Sequence, residues 1–278
     1  MPTLQQNLTT WDGDYHWSDD GEEWSSRWGG SEAQWYGAIL PRIHPFLPAD
    51  CILEIAPGYG RWTQYLKSSC KRLEVVDLSP KCIDACRQRF AGDEHIGYHV
   101  NDGTSLAMID DGSIDFAFSF DSLVHCEDDV IGAYLRELAK KLKPDGAGLI
   151  HHSNGGEYRR SLSAASRMPV LLRRGLTGTH LLDRQQGRAL SMTARRFEEM
   201  CEQAGLSCIT QELVNWSSRR LIDCLSVFTP RGSKRSRPNR VIRNPHFMRE
   251  AGLIRQVASL YAVDPMGGKA RLSDERRL

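Results

Sequence analysis

At 278 residues, with 40% hydrophobic and 26% charged residues, the chain suffices for one large globular domain with appendages or for two small ones. Its formal net charge of +1 supplies no global field for nucleic acid or an anionic membrane. No run approaches the roughly 18 apolar residues of a membrane span.

The opening stretch, MPTLQQNLTTWDGDYHW, has neither the basic nor the apolar region of a secretory leader, so a cytoplasmic protein is expected. Residues 1–35 carry seven acids against one base, together with five of the seven tryptophans: Trp11, Trp17, Trp24, Trp28 and Trp35. Indoles are costly to leave in water, so this segment is expected to fold over the core or over a ligand. Ser31 reads as an N-cap for a helix over residues 32–46, ended by Pro45 and Pro48. The eight cysteines contain no CxxC pair and are expected to be packed, reduced thiols.

From residue 51 the pattern alternates. Predicted strands cover 51–56 (CILEIA), 73–76, 96–100, 114–120 and 147–152, with helices through 66 and over 80–90 and 130–142. Such alternation implies βαβ units and a parallel sheet. Residues 155–190 interrupt it with Arg159, Arg160, Arg167, Arg173, Arg174, Arg184 and Arg188. A helix over 191–204 ends at Gly205. Strands over 207–214 and 223–229 follow without a helix between them, which suggests an antiparallel hairpin at the sheet edge. Residues 231–278 hold twelve bases and four acids and read as a linker or mobile loop with one helix over 248–261. Lacking interleaved aromatics, this tail is expected to be a surface or homo-oligomer contact rather than a nucleic-acid arm.

The stretch Ile52-Leu53-Glu54-Ile55-Ala56-Pro57-Gly58-Tyr59-Gly60 runs a strand into a glycine turn at the end where doubly wound sheets bind ligands. Glu54 would repel a phosphate, and neither a full GxGxxG nor a GK[ST] is present, which argues against NAD and nucleotide triphosphates. A ligand with a cationic amino-acid end fits an acidic loop better. Asp77 closes the second strand, where a carboxylate can accept ribose hydroxyls, and Asp102-Gly103 follows the third, where an acid could bond an exocyclic amine.

These residues resemble a class I S-adenosylmethionine-dependent methyltransferase. Residues 54–60 match that family's E/D-x-G-x-G-x-G loop, with Ala56 in place of the first glycine, and residues 143–146 match its turn before strand five. The resemblance implies a doubly wound, mostly parallel, seven-stranded Rossmann-like sheet with helices on both faces and an antiparallel edge strand. It implies S-adenosylmethionine as cofactor, held by Glu54, Ala56, Gly58, Gly60, Asp77, Leu78, Asp102, Gly103 and Phe120. The Trp-rich start and the SFDSLVH and IHHSN stretches are similar to bacterial sugar O-methyltransferases. The implied division is a cap at 1–48, a cofactor-binding domain at 49–230 with an acceptor-side insert at 155–190, and a basic extension at 231–278.

A hydroxyl acceptor needs a base or a metal. His125 is the first candidate base, with Asp121 one helical turn before it as its orienting partner. His152, near the end of strand five, is the second. A divalent metal on Asp121, His125 or His152 is a weaker expectation, since neither spacing is a metal signature, and no residue is assigned as a ligand. The arginines of the insert would read a phosphate or carboxylate on the acceptor. The expected function is methyl transfer to a hydroxyl of a small acceptor, a sugar or glycoside first. The alternatives are N-methylation of a small amine and an RNA methyltransferase that uses the basic tail.

Overall fold

The computed structural model describes residues 3–166, 187–216 and 218–262. Eight strands form one sheet in the order β3-β2-β1-β4-β5-β7-β6-β8. They are β1 (Ala49–Ile55), β2 (Cys70–Asp77), β3 (Ile96–Val100), β4 (Ile114–Ser119), β5 (Leu142–Ser153), β6 (Leu206–Val214), β7 (Asp223–Pro230) and β8 (Arg240–Asn244). Strands β1 to β5 pair in parallel, and β7 alone runs against its neighbours β5 and β6. The antiparallel strand is therefore interior rather than at the edge. The hairpin expected from its lack of a crossover helix does form, but β8 extends the sheet beyond it.

The eighth strand corrects the linker reading of the tail. Residues 240–244 pair in parallel with β6 from Thr210↔Arg240 to Val214↔Asn244. Val241 and Ile242 are β-branched and suit a pleated edge, although both stay exposed. The preceding turn is held by Asp145, which accepts from the Lys234 backbone N–H at 2.9 Å.

The central strands are buried on both faces, as parallel strands under helices must be. Ile52, Phe116, Phe118 and Leu149 point into one core, with Trp28, Trp35, Ile39 and Ile43 from the N-terminal segment. Leu53, Ala117 and Ile150 point into the other. There they meet Ile131, Leu135 and Leu138 of a helix over Asp128–Lys141, and Phe197 and Met200 of a helix over Ala194–Ala204. Thr193 caps the second of these by accepting from Arg196 N at 2.9 Å, and Gly205 ends it in the left-handed conformation. A helix over Phe247–Tyr261 packs by Phe247 and Ala251 against the first core. The helix expected over 32–46 is broken into Ser31–Gln34, a π-helical stretch at Trp35–Ile39, Leu40–Ile43 and a 3₁₀ turn at His44–Phe46, with Pro41 and Pro45 at the breaks. All eight cysteines are unbridged. Among the described residues no helix is long and apolar enough to cross a membrane.

Candidate active site

The chain leaves β1 through a turn in which Ala56 (φ +58°), Gly58 (+59°) and Gly60 (+85°) are all left-handed. Glycine adopts this conformation freely and alanine does not, so the strain in the turn is concentrated at Ala56. Asp77, at the end of β2, fastens the turn from the side: its Oδ2 accepts Gly58 N–H at 3.3 Å and its Oδ1 accepts Ser79 N–H at 2.8 Å. Burial pushes the Asp77 carboxyl up to about 6 against these two bonds. Glu54 lies behind the turn, 1% exposed. Thr63 Oγ1 donates to its Oε2 at 2.6 Å, while Oε1 has no hydrogen-bond partner, and burial pushes the carboxyl up to about 8.

A cavity of about 480 Å³ opens at this end of the sheet, within the size range of small-molecule sites. Of the expected cofactor residues, Ala56, Gly58, Asp77, Leu78, Gly103 and Phe120 line it. Glu54 and Gly60 stand behind the wall. Asp102 turns into its own loop, where its Oδ1 accepts Thr104 N–H at 2.8 Å and Ser105 N–H at 2.7 Å. Those bonds hold its carboxyl below the usual carboxylate range. The neighbouring Asn101 instead donates to Tyr134, another lining residue, at 3.0 Å.

The Trp-rich segment roofs the cavity. Trp17 stacks on Tyr59, with ring centroids 4.4 Å apart and 11° between planes. A Cβ at Gly58 would come within 2.8 Å of Trp17, and one at Gly103 within 2.8 Å of Leu4. Asp12 pins this roof by accepting Ser79 Oγ–H at 2.6 Å and Lys81 N–H at 3.2 Å. Trp28 and Trp35 are not part of the roof but of the core.

Besides the glycine turn, the cavity is walled by Arg61, Trp62, Phe120, Asp121, His125, Arg188 and Trp216. Asp121 has φ +64°, outside the short 3₁₀ turn Leu123–His125, so it shares no helical face with His125. Its carboxylate accepts from Arg61 Nη2 at 3.1 Å, and the Arg61 guanidinium lies 4.5 Å over the Trp62 ring. The expected Asp121–His125 pair is thus replaced by Asp121–Arg61. His125 Nδ1 stands 3.1 Å from the Gly187 carbonyl. A carbonyl only accepts, so Nδ1 carries the hydrogen and Nε2 keeps its lone pair. Burial, and next the charge of Arg188, push the imidazole down from its ordinary pKa, which keeps it neutral.

The two strand-five histidines face opposite ways, as alternation requires. His151 follows the parity of Leu149 and backs the cavity, with Phe120 at 4.7 Å and Trp216 at 5.4 Å. His152 follows Ile150 and stacks on Phe197 at 4.3 Å, on the far side of the sheet. Both its nitrogens are bonded, to Ser153 O at 2.9 Å and Ser226 Oγ at 2.8 Å, and burial pushes it down to about 4. It cannot serve the cavity as a base. With His152 turned away, Asp121, His125 and His152 do not converge, and among the described residues no cluster of three or more ligands could hold a metal.

A stability effect follows from the His152 shift. An unfolded histidine titrates near 6.5 and the folded one near 4, so stability is complete above the unfolded value and falls as acid protonates only the unfolded chain. The expected loss from this group between about pH 7.5 and about pH 5 is roughly 2 kcal/mol. Denaturant unfolding of His152→Gln, compared with wild type at both pH values, should show that share of the loss removed.

Of the insert's arginines, Arg167, Arg173, Arg174 and Arg184 lie outside the described residues. Arg159 and Arg160 are exposed on a helix over Arg159–Ser166, and Arg188 is bidentate to Asp223. Arg61, His151, Trp216 and Asp223 were not singled out by sequence. Only Arg61, next to the glycine turn, carried a positional signal.

Residues 52–146 match the family model described as a methyltransferase domain. The ribosomal RNA small subunit methyltransferase A of Pseudomonas fluorescens is 41% identical over 64 residues, which is 23% of this chain and 23% of that protein. An rRNA adenine N-6-methyltransferase of Streptomyces fradiae is 33% identical over 60 residues, 22% of this chain and 19% of that protein. The chain thus spans about a quarter or less of the curated relatives it matches. The crystal structure of the PH0226 protein from Pyrococcus horikoshii superposes with a TM-score of 0.53 at 19% identity, covering 80% of this chain and 95% of that one. The shared fold is an α/β Rossmann-like sheet, and residues 52–146 are what this chain has in common with the methyltransferase-domain family.

Proposed function

We propose that the chain is an S-adenosylmethionine-dependent methyltransferase that acts on a hydroxyl of a small acceptor. One observation carries this reading: one roofed cavity is lined by the glycine turn, by Asp77 and by His125, whose Nδ1 is tied to the Gly187 carbonyl. The cofactor supplies a methyl group on a positively charged sulfur. Asp77 would accept the ribose hydroxyls, Gly58 would let the backbone approach closely, and Leu78 and Gly103 would flank the adenine. Behind the turn the buried Glu54 Oε1 has no hydrogen-bond partner, and a cationic amino-acid end bound nearby would favour ionisation of a carboxyl that burial holds up at about 8. His125 Nε2 would take the acceptor's proton as the hydroxyl oxygen attacks, and the indole roof would exclude water.

A sugar hydroxyl remains the first acceptor to test, since Trp11, Trp24, Trp62 and Trp216 line the cavity with apolar ring surface. A second reading, methylation of RNA, is favoured by the identity to rRNA methyltransferases over about a quarter of this chain and by the base-rich tail. Transfer of labelled methyl from S-adenosylmethionine to panels of sugars, small amines and ribosomal RNA discriminates these readings. Labelled sugar supports the first. Label only in RNA, with binding that weakens steeply with salt, replaces it by the second.

A further inference from the structure

Behind Phe120 and Trp216 the cavity is backed by Asp223 and His151, two wholly buried side chains that do not line it. Asp223, the first residue of β7, is wholly buried. Its carboxylate accepts from Arg188 through both oxygens, Nε to Oδ1 at 3.0 Å and Nη2 to Oδ2 at 2.8 Å, a fork that fixes the direction of the arginine. On its other side stands His151 Nε2, 3.7 Å from Oδ2. His151 Nδ1 accepts the Asp121 backbone N–H at 3.1 Å, so the ring's hydrogen is on Nε2, toward Asp223.

Both ends of this chain reach the proposed chemistry. Arg188 follows Gly187, whose carbonyl accepts the His125 Nδ1 hydrogen. Ala189 continues the same strip, donating its N–H to Val124 O at 3.1 Å and accepting from Ser153 Oγ at 2.7 Å. The strip therefore lies along the turn that presents His125. At the other end, the N–H bonded by His151 belongs to Asp121, whose left-handed backbone carries its carboxylate to Arg61.

We propose that Asp223 is a positioning residue: through Arg188 it holds the Gly187 carbonyl that selects the His125 tautomer, and its charge, 3.7 Å from His151 Nε2, favours the His151 tautomer whose Nδ1 accepts the Asp121 N–H. The proposal rests on reading His125 as the base. Its physical content is that an imidazole free to exchange tautomers presents its lone pair to the acceptor only part of the time, whereas one tied at Nδ1 presents it always. The charged groups that face His125 are Arg188, Asp121 and Asp223. From the N-terminal segment, the Trp11 ring lies 5.6 Å from the imidazole and Asn7 Nδ2 donates to the His125 carbonyl at 3.4 Å, both uncharged.

The test is two-bond ¹⁵N–¹H spectroscopy of the full chain labelled at histidine, with His125 and His151 assigned through His125→Gln and His151→Gln. In the wild type His125 should be the Nδ1–H tautomer and His151 the Nε2–H tautomer. In Asp223→Asn, His125 should become a mixture of tautomers and its protonation midpoint should move to lower pH, because Arg188 has lost its counter-ion. Arg188→Lys keeps the cation but not the fork, so the tautomer should loosen with a smaller midpoint shift. The exposed His246 serves as the unmoved control. A folded Asp223→Asn that keeps the wild-type His125 tautomer overturns the proposal. If Asp223→Asn does not fold, Arg188→Lys decides by the same criterion. Full methyl transfer by His125→Gln would remove the base while leaving the tether result to stand or fall by itself.

Discussion

Asp77→Ala is expected to weaken binding of S-adenosylhomocysteine by about 1–3 kcal/mol, roughly 5- to 150-fold, in a calorimetric titration of the folded protein. The carboxylate does two things at once. It lines the cavity where ribose hydroxyls would lie, and it holds the glycine turn through Gly58 N–H and the start of the next helix through Ser79 N–H. Alanine removes both and leaves those two donors without their acceptor. Asp77→Asn separates the contributions, since its amide oxygen can still accept a backbone N–H while the charge is gone. If Asn binds as weakly as Ala, charge on the ribose dominates. If Asn binds nearly as well as wild type, the turn dominates.

The same residue sets a pH dependence with a definite sign. The free carboxyl titrates near 6 because it is buried, and ribose hydroxyls favour its ionised form. Affinity should therefore be flat above about pH 7 and should fall as pH drops through about 6, because a proton must leave before the charged bonds form. That fall should be missing in Asp77→Asn. A wild-type affinity unchanged down to about pH 5 would mean that Asp77 does not contact the ligand.

The parts of this architecture legible in sequence are those set by local pattern. CILEIA followed by PGYG could only be a buried strand running into a turn, and the alternation from residue 51 to residue 153 gave the parallel half of the sheet. What eluded it depends on contacts between distant segments. Strand alternation correctly required the two adjacent histidines to oppose each other, but which one faces the cavity depends on the parity set by Leu149 and Ile150 against two different cores. Asp121 was expected to complete a helical turn with His125, yet a left-handed backbone sends it to Arg61, 60 residues earlier in the chain. Residues 240–244 look like linker because their partner β6 lies 30 positions away. The indole-rich start was legible as a cover, while the division between roof (Trp11, Trp17, Trp24) and core (Trp28, Trp35) was not.

The largest kinetic effect is expected at His125. His125→Gln should lower methyl transfer to a hydroxyl acceptor by about 10²- to 10⁴-fold while leaving S-adenosylhomocysteine affinity within about twofold, because the proton acceptor is lost and the glycine turn is untouched. Glutamine fills a similar space and its amide can still meet the Gly187 carbonyl, so the turn should persist; what it lacks is a basic lone pair. The pH profile gives a second reading of the same role. Burial and Arg188 hold the imidazole below its ordinary pKa, so the wild-type rate should stay level through neutral pH and decline only on the acid side as Nε2 takes a proton. The variant's residual rate should lack that acid limb. A neutral amine is already a nucleophile and needs no base to begin its attack, so an amine acceptor would lose less than about tenfold on the same substitution. The size of the His125→Gln loss, read on whichever acceptor takes the label, therefore distinguishes proton removal from mere placement as the work of this cavity.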